Sequence, residues 1–242
     1  MSATTQPTDF SDLYTDLQNR VRVNTGVTAT ENQAKRYVNT ALQDMHIGFG
    51  EKFPWAERDD VLRTQAQYTT GTVTITKGST ALTGASTLWN TNNDFGVANA
   101  RVGGKIIIGS NEVYEVTAVG SDTSITLADA WIGDDQSAAS YTYFEDEYAL
   151  ASDFLRPIDM QLFSTAMEIP LISRTEFRRM FPRNNVPGRP RVATLIRQEP
   201  SGTAAVRTRV RFARPPDTNY LVPYTYVTSN LAVSSAGEVT YV

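Results

Sequence analysis

The chain has no cysteine and a single histidine, His46. The first absence removes disulfide staples, thiolate metal sites and cysteine nucleophiles together. The second leaves too few imidazoles for the usual zinc spacings and speaks against a Ser-His-Asp arrangement. His46 falls at the end of an expected helix, where the dipole favours a cation, and is read as that rather than as a ligand or general base. No apolar run approaches the roughly 20 residues a membrane helix needs. The opening MSATTQPTDF has neither a basic n-region nor an apolar h-region, so no secretory signal is expected and folding in the cytoplasm is. Phosphate-cradling patterns are missing as well. No GxxxxGK[ST] occurs, and GVANARVGG lacks the strand–GxGxxG–helix setting. The expectation is a protein that is not an enzyme and takes no cofactor and no metal.

What is present is an ordinary globular balance over 242 residues, 40% hydrophobic and 20% charged, long enough to bury a core. A net charge of −4 gives no global basic field to attract nucleic acid. Phe10, Leu13, Tyr14, Leu17 and Val21 recur at three- and four-residue spacing, and Asn24-Thr25-Gly26 supplies a stop. A second apolar face follows in Ala34, Tyr37, Val38, Ala41, Leu42 and Met45, with Thr28/Glu31 or Thr30/Gln33 as capping box. Residues 8–48 are therefore expected to form a helical hairpin, followed by an aromatic plug at Phe53-Pro54-Trp55.

From Tyr68 to about Phe144 the period drops to two. Thr72-Val73-Thr74-Ile75-Thr76 alternates strictly, and Lys77-Gly78-Ser79 reads as the turn into Thr80–Thr83. RVGGKIIIG, EVYEVTAVG, TSITLADAW and ASYTYFEDEY supply further strands, enough for a small barrel or sandwich. Threonine suits such strands because its branched carbon fits the pleat while its hydroxyl keeps the outer face wet. Beyond, SRTEFRRMF carries a capping box, Ser173 with Glu176, and strands are expected over Arg191–Arg197, Ala204–Ala213 and Tyr220–Val227. The fold class is α+β. A discontinuous body of residues 1–66 and 147–242 (helical hairpin, C-terminal helix and strands) is expected to carry an inserted all-β barrel or sandwich module, 67–146.

The acidic groups, Glu145-Asp146-Glu147, Asp134-Asp135 and Asp59-Asp60, are read as solvated loop and turn charge. GSDTS and GDDQS lack the ligand spacing of an EF-hand loop. The unusual pattern is AVRTRVRFAR. On a strand, Arg207, Arg209 and Arg211 would share one face at steps of about 6.6 Å, read either as the solvated outer face of a half-buried strand or as a row suited to phosphates or a neighbouring subunit's carboxylates. Arg178 and Arg179 add positive charge, so the C-terminal third is basic and the module region acidic, as suits oppositely charged protein surfaces meeting.

The order YTTGTVTITKGSTALTGASTLW, GGKIIIGSNEVYEVTAVGSDTSITLADAWIG, ASYTYFEDEYALASDF resembles a β-module of tailed-bacteriophage structural proteins. With the helical pair before it and GRPRVATL and VRFARPPDTNYLVPYTYV after it, nearly the whole chain resembles the head-to-tail adaptor (connector, neck) proteins, including the tubular adaptors of short-tailed phages. It departs from them in stopping at GEVTYV, where such chains often continue into a further helical segment. The resemblance implies a virion protein of the neck. It would self-associate into a ring, expected to be a dodecamer, beneath the portal protein and extend the DNA channel toward the tail tube, nozzle or other neck proteins. Contact with translocating DNA would be weak and non-specific, and no membrane is involved. Arg207, Arg209, Arg211, Arg178 and Arg179 are the candidate subunit, partner or DNA contacts. The competing reading is a tail or baseplate protein whose module recognises a host-surface glycan. There Trp89 and Trp131, as surface aromatics, with Tyr141 and Tyr143, would stack on sugar rings.

Overall fold

The computed structural model describes residues 10–23, 26–48, 56–109, 112–197 and 207–229. The protein is mixed α+β. Among the described residues it has three helices and fourteen strands in three sheets. No described helix is long and apolar enough to cross a membrane. The expected aromatic plug lies outside the described residues, as does the side chain of His46.

The helical hairpin is α1 (Phe10–Val21) and α2 (Thr28–Gly48). Gly26 adopts φ +93°, but it is not what stops α1. The stop comes earlier, at Arg22 with φ +56°, where the Val23 amide donates to the Gln18 carbonyl and the Arg22 amide to that of Asn19. That pair of bonds satisfies the helix's last carbonyls in a Schellman motif built without glycine. α2 begins at Thr28, and the Thr30 hydroxyl donates to the Val27 carbonyl, 2.8 Å away, inside the first turn.

The alternating segment becomes β2 (Thr72–Ile75), β3 (Ala81–Ala85), β4 (Lys105–Ile108), β5 (Val113–Ser121), β6 (Ser124–Leu127), β7 (Gln136–Ala139) and β8 (Tyr141–Phe144). They pair antiparallel in the order β7-β2-β3-β6-β5-β4-β8, a curled half-barrel. Gly78 takes φ +82° in the β2–β3 turn, a conformation that costs a side-chain-bearing residue strain. Val73, Ile75, Leu82, Ile106, Ile108, Ile125 and Leu127 face inward, while Thr74, Thr83 and Thr126 face out. The two outermost strands are consecutive in sequence with only Ser140 between them. Against β2, β7 carries a bulge, with Val73 opposite Ala139 but Ile75 opposite Gln136, and Ala138 sits there at φ +50°. A bulge sharpens the local twist. It bends the chain just before it leaves one edge of the sheet for the other.

Beside β7, which lies almost wholly ahead of the expected ASYTYFEDEY segment, three strands were not apparent from periodicity: β1 (Glu57–Arg63), β10 (Phe154–Leu162) and the short β11 (Met167–Glu168). With β14 (Leu221–Thr228) they form a sheet of order β1-β14-β10-β11. β9 (Glu147–Ala149), β12 (Ala193–Ile196) and β13 (Arg209–Phe212) form a third sheet, order β12-β13-β9, beside which α3 (Arg174–Met180) lies. Ser173 caps α3 as expected, its hydroxyl accepting from the Glu176 amide at 3.2 Å. The strand expected over 204–213 begins at Arg209; residues 204–206 lie outside the described residues.

By internal contacts the chain forms two units. One holds the described residues up to Arg58, Asp153–Pro157 and those from Tyr226 on; the other holds Asp59–Ser152 and Ile158–Thr225. These boundaries fall elsewhere than the compositional ones at 66/67 and 146/147. In the first unit the Asp153 carboxylate accepts from Tyr226 at 2.8 Å and Thr228 at 2.6 Å. The helical pair is tied by Lys35, which bonds to Glu31 at 3.0 Å and lies 4.9 Å from the centre of the Tyr14 ring.

Candidate functional site

The residues singled out as surface aromatics are core residues. Trp89 is 0% and Trp131 1% exposed, and Tyr141 and Tyr143 are buried with them. The Trp89 indole donates to Tyr141 Oη at 3.0 Å, and that hydroxyl donates to the Thr70 carbonyl at 2.7 Å. The Trp131 indole donates to the Asp134 carbonyl at 2.9 Å, and its ring lies 5.2 Å from that of Tyr114. A barrel of short strands needs large side chains to fill it, and aromatics with a polar tip do so only where the tip finds a partner. None of the four offers a face to a sugar ring.

The acidic stretch after β8 also departs from expectation. Glu145 and Asp146 are buried, at 5% and 1% exposure, and are not solvated loop charge. Asp146 is held by Lys105 of β4, by Arg211 Nε at 2.9 Å and by Asn184 Nδ2 at 2.9 Å. Glu147 takes a second bond from Lys105 at 2.9 Å and lies 3.7 Å from Arg211. Glu145 pairs with Arg101 through two bonds and accepts the Tyr143 hydroxyl at 2.7 Å. Three cations thus face three carboxylates where the half-barrel's last strand runs on into β9. Burial pushes the Asp146 carboxyl up, but the facing charges of Lys105 and Arg211 and the hydrogen bonds from Lys105 and Asn184 outweigh it and hold it below the ordinary carboxylate range.

Gly104 belongs to this junction. A Cβ there would lie inside van der Waals contact of the Tyr143 hydroxyl and ring, and that phenol is fixed by Glu145 and by the Arg101 amide at 2.8 Å. Gly104→Ala is expected to lower stability by about 1–3 kcal/mol through overpacking, measurable by urea denaturation. A neutral outcome would mean that Tyr143 has room to move.

The arginine row is split. Arg209 and Arg211 share one face of β13, opposite Ala149 and Glu147 of β9 and Ile196 and Thr194 of β12. Arg211 is engaged with Asp146, and Arg209 Nη2 donates to the Glu147 carbonyl at 3.0 Å. Arg207 is exposed and precedes the strand. Arg211 is therefore part of the scaffold.

What the fold does bring together is α3 and the same face of β12–β13. Between them runs a groove of about 490 Å³ whose rim carries Arg174, Arg178 and Arg211 and whose floor includes Phe177, Phe181 and Ile196. Arg211 lies 5.8 Å from the Phe177 ring centre. Arg178 and its neighbour Arg179 are exposed, and no carboxylate pairs with either among the described residues. Their sequence signal was the basic EFRRMF segment; β12 and β13 beneath it fall within expected strands, but their pairing, on which the groove depends, had no local signal.

A second concavity, about 390 Å³, lies on the outer face of the β1-β14-β10 sheet, lined by Asp59, Val61, Asp159, Pro223 and Thr225 among others. Asp59 accepts the Thr225 hydroxyl at 2.9 Å, Asp60 the Tyr224 hydroxyl at 2.7 Å and Asp159 the Thr225 amide at 3.1 Å. Each carboxylate is hydrogen-bonded, yet none is paired with a cation among the described residues. No group of three or more side chains suited to a metal occurs among the described residues. Asp122 and Asp135, in the two segments weighed for calcium, accept backbone amides of Asn90 at 2.9 Å and Lys77 at 2.7 Å and so organise turns. Set against known proteins, the chain matches no family model, no curated protein and no solved structure.

Proposed function

We propose that this protein is a structural component of a tailed-phage virion, a head-to-tail adaptor whose copies form a ring below the portal, extend the DNA channel and receive the tail. The reading rests on the order of motifs along nearly the whole chain. The observation that carries it furthest is the helical pair. Of the α1 and α2 residues whose side chains are described, only Gln18 and Ala34 are buried, while Tyr37 is 60% exposed. Helices of this length gain most of their stability from packing an apolar face on something else. A pair that buries so little within its own chain suits a subunit whose helices are covered in an assembly. The burial of Trp89, Trp131, Tyr141 and Tyr143 removes the aromatic platform on which a glycan-binding module would depend.

The test is native mass spectrometry of the protein alone and mixed with the portal protein of the same genome. The expected result is a ring of copies, a dodecamer, on each portal ring. Two folded proteins that form no complex at any ratio would overturn the proposal.

A further inference from the structure

The acidic and basic surfaces of this chain are separately uncompensated. Asp59, Asp60 and Asp159 gather on β1 and β10 with hydrogen-bond donors but no cation among the described residues; Arg178 and Arg179 project from α3 with no carboxylate. Elsewhere in the same unit the charges are matched closely, as the junction around Asp146 shows. Among the described residues β1 ends its sheet with no strand at its outer edge, and Val61 is 54% exposed between the two aspartates and the rest of the strand. Edge strands are commonly guarded by charge, for which Lys is favoured and which need not have a counterpart elsewhere. Here the guard is acidic, and the chain carries a groove of the opposite sign with an apolar floor.

We infer that the β1 edge of one copy docks in the α3 groove of a second copy. Asp59 and Asp60 meet Arg178 at the rim, and Val61 lies over Phe181, the half-buried aromatic of the floor. The contact is heterologous, since the two surfaces are different parts of one chain, and heterologous contacts close into rings when the rotation permits. Opposed charge at the rim fixes register and excludes like-to-like pairing more than it adds affinity. The inference deepens the ring-forming reading above and rests on it.

The experiment uses the full chain in two variants, Asp59→Lys and Arg178→Glu, followed by native mass spectrometry and sedimentation, alone and on portal rings. Each variant puts like charges face to face in its own assembly and should weaken self-association at least about tenfold. Mixed in equal amounts, the two variants can alternate, so that the changed edge of one faces the changed groove of the other and unchanged edge faces unchanged groove, each pair of opposite sign, and the mixture should assemble as the wild type does. Asp59→Asn keeps an acceptor for Thr225 and should give an intermediate loss, which separates charge from folding; thermal melts of all three confirm that they are folded. Variants that assemble like the wild type, or a folded mixture that does not recover, would overturn this interface while leaving the adaptor reading in place if the wild type still forms rings. A wild type that never self-associates, alone or on the portal, would overturn both.

Discussion

Replacing Asp146 by alanine is expected to destabilise the protein by about 3–5 kcal/mol, among the largest losses any single change would produce. The carboxylate is 1% exposed and faces Lys105 and Arg211, whose side chains are 14% and 30% exposed. Removing it leaves two cations sharing Glu147 and deprives Asn184 of an acceptor. Asp146→Asn should recover only part of the loss, because it restores an acceptor without the charge. Urea denaturation of both variants beside the wild type measures the difference. A loss under about 1 kcal/mol would mean that the junction behaves as an exposed ion pair. The same carboxylate sets the acid limit. Its pKa is lowered on folding, so its contribution is complete above the ordinary carboxylate range and drains away as the pH falls below about 4. At the other limit, burial and then the neighbouring Glu145 raise the phenols of Tyr143 and Tyr148 well above their ordinary value. Their contribution is present below about pH 10 and is lost as the pH climbs beyond it. Melting temperature against pH should therefore fall away at both ends, and the acid arm should disappear in Asp146→Asn if this group dominates it.

Trp131→Ala is expected to cost about 3–5 kcal/mol, the usual range for emptying the space of a buried large aromatic. The ring is 1% exposed, it touches Tyr114, and a Cβ on Gly133 would come within 2.6 Å of it. The hydrogen bond to the Asp134 carbonyl goes with it. Chemical denaturation should show the loss, and near-ultraviolet circular dichroism should show whether the remaining aromatics of the half-barrel keep their packing. A variant as stable as the wild type would place the indole at a surface after all and revive the stacking role weighed against its sequence position.

The contrast between these two sites explains how far the sequence could be read. Alternation is a property of neighbours, so Thr72–Ile75 and Ser124–Leu127 announce both their strands and their inner faces. The Ser173–Glu176 cap is equally local. β1 was hidden because ERDDVLR carries charge on both faces, as an edge strand may, and β10 because Pro157 interrupts its run. The end of α1 was placed at Gly26 because glycine is the usual left-handed residue, whereas Arg22 accepts that conformation. Glu145 and Asp146 looked solvated because nothing within several residues neutralises them. Their partners, Lys105 and Arg211 on strands and Arg101 in the loop before β4, lie far along the chain, and the pairing of β4 with β8 and of β13 with β9 brings them together. The groove beside α3 was half legible: the arginines of EFRRMF and the strands at Arg191–Arg197 and Ala204–Ala213 stood out, but not the pairing that sets β12 and β13 beside the helix.

The backbone of Tyr68, just before the half-barrel, exchanges amide–carbonyl bonds with that of Tyr143, in its last strand, at 2.9 and 2.8 Å. The chain therefore enters and leaves the half-barrel through one doorway. A segment with that property can be exchanged for a shorter or longer one with little disturbance to the ladders outside it, since the two free ends already stand side by side. The threonine-rich stretch is, in this sense, a detachable fitting: provided a replacement keeps Arg101 and Lys105 for the acidic junction, the surface it presents can be changed while the sheet of β1, β14, β10 and β11 keeps its register.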